Sequence, residues 1–364
     1  MDKVLFLQKW CSLSGGVERV NQNLSRAFAA QGVPSEFYIY SIEGEKKQGF
    51  DALSKAFAAV HSPQNASLLK RVKHLFSHIR HNHITTVIAA TETANLLAFL
   101  CGVRYPNLHI IYCRHCAFDV SDQRLSPWLI KALYSLYLIS GTVVTVSRAL
   151  QQQLKNSVMW GKQNIHFIAN AVISEDLHRL SGEKLRPLGT PKYFIAVGRL
   201  VEQKGFDLLL EAYAKASTVD TNLPDLVIVG EGPDERTLKE QAIRLDIEDG
   251  VHFYGYASNP YPIIKGAKAL ILSSRHEGMP TVIIEALSLN VPVIAFDCPT
   301  GPSELVRNGI NGKLIPPQDV DGLVDAILNY QDMPQSQLAD SVSEFAYPAV
   351  VAKYSKLMKS SKHG

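Results

Sequence analysis

Long apolar runs, a cysteine framework and a dominant charge are all missing from this chain. No stretch reaches the roughly 18 apolar residues of a membrane-spanning helix. The nearest, Ala132 to Ser147, is uncharged for 16 residues but contains Ser135, Ser140, Gly141 and Thr142. It reads as a Tyr-bearing helix followed by a buried strand. The N-terminal apolar run, Val4 to Leu7, is too short for a signal-peptide core, so a cytoplasmic protein is expected. The five cysteines, Cys11, Cys101, Cys113, Cys116 and Cys298, are odd in number and lack framework spacing. That excludes a small disulfide scaffold and fits free thiols in a reducing compartment. Cys113 and Cys116 form a C-x-x-C around Arg114 and His115, but zinc would need a second ligand pair and none is evident.

What the 364 residues do contain is a soluble globular composition, 46% hydrophobic and 20% charged, with room for about two domains. The formal charge of +3 is unevenly placed: residues 1–170 carry a net +9 and residues 171–364 a net −6. A basic half joined to an acidic half suggests two domains with different partners.

Apolar, β-branched runs recur along both halves. In the first they are Val4–Leu7, Phe37–Tyr40, Thr86–Ala90, Ile110–Tyr112 and Thr142–Val146. In the second they are Tyr193–Val197, Leu226–Val229, Val251–Tyr254, Ala269–Leu272 and Val291–Phe296. Helical periodicity separates them, as in Val17, Val20, Leu24, Ala27 and Phe28. Continuous apolar strands alternating with helices imply parallel sheets covered on both faces, here two doubly wound α/β domains of five strands each. The polar, Gly/Pro-containing stretch 178–191 is the expected break. The expected domains are residues 1–178 and 190–344, with a basic helix over about 345–364.

In such sheets ligands bind beyond the carboxyl ends of the strands. After the first strand, Gly15 and Gly16 precede a helix, where glycine permits close backbone approach and a helix N-terminus offers N–H groups to an anion. An ordinary strand-to-helix turn would look the same, and there is no G-x-G-x-x-G to indicate a dinucleotide fold. In the second half, Gly198-Arg199-Leu200-Val201-Glu202-Gln203-Lys204-Gly205 places two cations five residues apart in a strand-end loop, a spacing that suits a diphosphate. Further on, Arg275-His276-Glu277-Gly278-Met279-Pro280-Thr281 leads from a strand into an apolar helix. Glu277 there precedes the helix and can face hydroxyls beside free N–H groups, and Glu285 lies about one turn inside the helix. His115, delivered by the strand His109–Tyr112, can donate a hydrogen bond or exchange a proton, or can be structural.

Together these residues resemble the retaining glycosyltransferases of family 4. The likeness runs through GGVERV, VGRLVEQKG, VGEGPDE, SSRHEGMPTVIIEAL and DCPTGPSELVRNGINGKL, and the E-x7-E of Glu277 and Glu285 is its most specific element. The resemblance implies the GT-B fold, two Rossmann-like domains facing a central cleft, and a C-terminal helix returning to the first domain. It implies that Arg199 and Lys204 hold a donor diphosphate and that Glu285 takes ribose hydroxyls. Glu277 and the backbone of Gly278 and Met279 would face the donor sugar, with the Thr281 and Val282 amides near phosphate. Gly15 and Gly16 would approach the diphosphate, and His115 would sit beside the transferred sugar; the CRHCAFD segment matches only loosely.

The implied reaction is metal-independent transfer from a nucleoside-diphosphate sugar to a cell-envelope polysaccharide or lipid-linked glycan, with no cofactor. The CPTGPSE stretch leans towards a UDP-hexose or UDP-N-acetylhexosamine. No D-x-D stands out for a divalent ion. A nucleotide-sugar epimerase and a non-catalytic two-domain sugar binder are the alternatives, and nucleic acid is not an expected partner. Residues 67–80 carry four Lys/Arg and no acid, with apolar positions 68, 69, 72, 75, 76 and 79 on one helical stripe. They fit either a helix lying peripherally on an anionic membrane or an amphipathic helix packed on the sheet. Ala replacements of Lys204 and Glu285 are expected to weaken donor binding and leave the fold intact.

Overall fold

The computed structural model describes residues 3–8, 16–40, 57–62, 67–115, 126–184, 190, 193–299, 301–330 and 335–360. Gly15, Cys11 and Cys116 lie outside them. The chain forms two compact units, Met1–Ala171 with Tyr347–Gly364, and Val172–Ala346. It passes to the second unit ahead of the 178–191 stretch, because Val172 and Ile173 donate their N–H groups to the Phe345 carbonyl.

In the first unit the strands are β1 (Val4–Gln8), β2 (Ser35–Ile39), β3 (Ala59–His61), β4 (Thr86–Ala89), β5 (His109–Arg114), β6 (Thr142–Thr145) and β7 (Ile165–Phe167). They pair in the parallel order β3-β2-β1-β4-β5-β6-β7. The helices are α1 (Gly16–Ala29), α2 (Leu68–His81), α3 (Glu92–Arg104), α4 (Pro127–Ser140) and α5 (Arg148–Ser157). Their starts are written in local chemistry: Thr91, Ser126 and Ser147 accept from the third residue on, and Pro127 occupies the first turn of α4. Side chains from α2, α3, α4 and α5 form one apolar cluster against the sheet, among them Leu75, Ile79, Leu97, Cys101, Tyr134, Tyr137 and Leu154.

The second unit holds β8 (Tyr193–Val197), β9 (Asp225–Val229), β10 (Val251–Gly255), β11 (Ala269–Leu272), β12 (Val293–Phe296) and β13 (Gly312–Ile315), in the parallel order β10-β9-β8-β11-β12-β13. Its helices are α6 (Glu175–Leu180), α7 (Phe206–Val219), α8 (Glu235–Arg244), α9 (Tyr261–Lys265), α10 (Thr281–Ser288), α11 (Pro302–Leu305), α12 (Val320–Leu328) and α13 (Gln335–Asp340). The chain then returns to the first unit as α14 (Tyr347–Ser360), which packs on α1. Val350, Val351, Tyr354 and Met358 of α14 are buried, and the Tyr354 ring meets Phe28 edge-on at 5.9 Å.

All ten expected strands form. The structure adds β3, β7 and β13, so the sheets have seven and six strands rather than five each. Among the described residues, no helix is long and apolar enough to cross a membrane. The segment Ala132 to Ser147 divides between the end of α4 and β6.

Candidate functional site

Each sheet has one point where consecutive connections leave in opposite directions. In the second unit it lies between β8 and β11, which pair directly although two strands separate them in sequence. Open α/β sheets hold ligands at such a point, beyond the carboxyl ends of the strands. The two loops singled out in the sequence, 198–205 and 273–281, leave those two strands.

These loops are locked together. Lys204 Nζ donates to Glu277 Oε1 at 2.6 Å, and the buried Ser274 hydroxyl donates to the same oxygen at 2.7 Å. Ser273 Oγ donates to the Lys204 carbonyl at 3.0 Å, and Gln203 Nε2 to the His276 carbonyl at 3.0 Å. Gly205 closes the first loop at φ +62°, and a Cβ there would lie 2.1 Å from the Ser273 carbonyl oxygen. Only glycine allows that approach. Arg275 turns away from the pair to grip Asp207 with two hydrogen bonds of 2.8 and 2.6 Å, and also donates to the Glu202 carbonyl. Burial works to raise the Asp207 carboxyl, but the bonds from Arg275 outweigh it and hold its pKa down.

Arg199 is exposed at the start of the first loop. Gly278 is half-buried and Met279 buried, and Gly301, at φ +100°, presses against Pro280 and the Gly278 carbonyl. Thr281 and Val282 form the first turn of α10. Its cap residue, Pro280, supplies no side-chain hydrogen bond, so the opening amides are not taken by a cap. Cys298, after β12, also faces this group: burial pushes its thiol up to about 12, reinforced by the Glu277 carboxylate and opposed by Lys204. Glu285 differs from expectation, being only 2% exposed on α10. Its replacement by Ala therefore disturbs a buried polar group, and the fold is not a bystander.

In the first unit, Gly16 is the opening residue of α1, the first helix after β1, and the corresponding switch point of that sheet lies between β1 and β4. His115 follows β5, half-buried, with its Nε2 buried and unbonded among the described residues. Burial, with help from the Arg114 charge, pushes its imidazole down to about 4, so the ring is neutral near pH 7. The backbone beneath it is held by a network that the sequence did not reveal. Buried Arg114 pairs with Glu92, Tyr134 donates to the same Glu92 oxygen at 3.0 Å, and Asn95 joins Tyr134 to the Cys113 carbonyl.

Among the described residues, one cluster brings metal-type ligands together: Glu36 with His61 and His78, at 3.0 and 2.8 Å. Lys3 already sits on the other Glu36 oxygen at 2.5 Å. An ammonium in that position supplies the counter-charge a cation would bring, so the cluster is an ion-pair network.

A doubly wound pair with cations and uncapped helix amides at a switch point is the architecture of a GT-B glycosyltransferase, and the comparisons agree. Residues 181–347 match the family described as Glycosyl transferases group 1, and residues 14–176 match Glycosyltransferase Family 4. The chain is a glycosyltransferase of this family 4 type. An uncharacterised glycosyltransferase of Haemophilus influenzae is 29% identical over 92% of both chains. The lipopolysaccharide 1,6-galactosyltransferase of Escherichia coli is 24% identical over 90% of this chain and 89% of its own. Among solved structures, Anabaena Alr3699/HepE in complex with UDP shares the fold with a TM-score of 0.78 at 18% identity, covering 98% of this chain and 100% of that one.

Proposed function

We propose that the protein transfers a hexose or N-acetylhexosamine, with retention, from a UDP-sugar to a growing cell-envelope polysaccharide or lipid-linked glycan. The observation that carries this reading is the Lys204–Glu277 pair at the β8/β11 switch point, beside the uncapped start of α10. Lys204, Arg199 and the Thr281 and Val282 amides stabilise charge on the departing diphosphate, an electrostatic task that side chains and amides can perform without a metal. Glu285 accepts the ribose hydroxyls. Glu277 and the backbone of Gly278 and Met279 position the donor sugar, Ser274 and Lys204 fixing the carboxylate that does so. Gly15 and Gly16 approach the diphosphate, and His115, neutral, hydrogen-bonds the transferred sugar rather than supplying a charge.

The acceptor hydroxyl attacks the anomeric carbon on the face the diphosphate leaves. As the new C–O bond forms and the old one breaks, the hydroxyl proton passes to a departing phosphate oxygen. The likeness to the lipopolysaccharide 1,6-galactosyltransferase of Escherichia coli supports the acceptor class. Thermal unfolding with a panel of nucleoside diphosphates tests the donor side: UDP at about 100 times its dissociation constant should add about 2.7 kcal/mol of stability. Wild-type response in a folded Lys204→Ala protein would sink the assignment. Anomeric NMR of the product tests retention.

A further inference from the structure

The helical layer α2–α3–α4 presents to solvent what a buried layer would hide. On α3, Leu96, Leu100 and Val103 are exposed at positions i, i+4 and i+7, one stripe of the helix, and Val103 is 63% exposed. On α4, Trp128 and Ile139 are 74% and 67% exposed, with Leu136 between them. The two helices pack on each other. Met159 and Trp160 extend this surface, because the Met159 amide donates to Ser135 of α4 and Gly161 rests on Leu138. Single exposed apolar residues are ordinary, whereas a contiguous set marks an interaction surface.

The charges around this patch select its partner. Lys70, Lys73 and Arg80 on α2, Arg104 ending α3, and Lys162 beyond Trp160 are all exposed. Among the described residues from 67 to 170, Glu92 is the sole acid, and it is paired with Arg114. Two copies meeting through this face would bring like charges together. An anionic lipid surface would neutralise them, since juxtamembrane cations are attracted to anionic headgroups. Tryptophan favours the membrane–water interface, and two of the chain's three tryptophans, Trp128 and Trp160, are exposed here. Helix α2 is not the inserted element. Its Leu75 and Ile79 are buried and its Val72 and Phe76 pack on the core, so it contributes cations.

We infer that the α3–α4 face, with the Met159–Trp160 turn and the α2 lysines, docks the protein peripherally on an anionic bilayer. The inference uses only the first unit's surface and does not depend on the donor site. The test is sedimentation of the full chain with phosphatidylglycerol/phosphatidylethanolamine vesicles and with phosphatidylcholine vesicles, at low and high salt. Wild type should pellet with the anionic vesicles alone, and L100E/W128E/I139E should lose at least tenfold in binding. K70E/K73E should bind more weakly with less salt dependence. All variants should keep the wild-type melting temperature and its shift with UDP, since every changed side chain is exposed. The inference is overturned if wild type stays in the supernatant with anionic vesicles at low salt, or if the triple variant binds as wild type does. It is also overturned if light scattering finds a dimer that the triple variant makes monomeric, which would make the face a contact between copies. A lost UDP shift in a wild type that still pellets would strike the donor assignment and leave the docking face standing.

Discussion

Lys204 reaches Glu277 at 2.6 Å with 22% of its side chain still exposed, so the ammonium is held without being sealed off. Removing it takes the ammonium from that carboxylate oxygen, while the Ser274 hydroxyl still donates to it. Lys204→Ala should weaken UDP-sugar binding at least tenfold, or about 1.4 kcal/mol, by calorimetry. Glu285 asks for a gentler change, because burial would make Ala costly. Glu285→Gln should keep the melting temperature within a few degrees and still reduce donor affinity; full affinity would remove Glu285 from the ribose. Gly205→Ala is the opposite case: its Cβ would overlap the Ser273 carbonyl, and a loss of more than ~2 kcal/mol in urea unfolding should follow. In the other unit, NMR should show the His115 ring unprotonated through pH 5.5, as an imidazole pushed down to about 4 requires.

Elements differ in how far the sequence exposes them. The ten strands read in advance are continuous apolar runs, five of them fully buried end to end in β1, β2, β4, β11 and β12. The other three, β3, β7 and β13, are short and lie at sheet edges. Seven of their ten residues are at least partly exposed, so they carry no apolar run to recognise. The stripe on α2 was legible as amphipathic, but not which surface it faced; packing decided that it turns inward. In the site, Lys204 and Glu277 are legible because each lies in a glycine-punctuated loop after a strand. Arg114, Glu92 and Tyr134 did not, because the three come from separate elements and only the fold makes them neighbours. Helix α14 supplies a measurable consequence: Tyr354→Ala should cost about 3 kcal/mol by denaturant unfolding, since it empties a buried contact with Phe28.

For the molecule as a whole, acid should loosen the fold. His115 and His78 are both held below the ordinary imidazole range, by burial first, while the unfolded chain protonates near 6.5. Their stabilising contribution is present above that value and is lost as pH falls towards the folded pKa. For His115 the loss should reach ~2 kcal/mol between about pH 7.5 and 4.5, read as a lower urea midpoint and absent in a folded His115→Gln protein. Glu36 adds in the same direction: burial tends to raise it, yet Lys3 and His78 hold it low, so protonating it in acid removes their attraction. The charge asymmetry between halves also changes meaning. The anion site proposed for the acidic half rests on two cations and a helix start, so position outweighs net charge there.

The return of α14 to the first unit also orders events during synthesis. The second unit is one unbroken stretch, Val172–Ala346, while the first needs the final residues to cover Phe28 and Cys113. A ribosome adding about 5–20 residues per second needs roughly 10–35 s to cross those 175 residues. Throughout that interval the nascent first half waits with an open apolar seam on α1, so the part of the protein made first is the last to be finished.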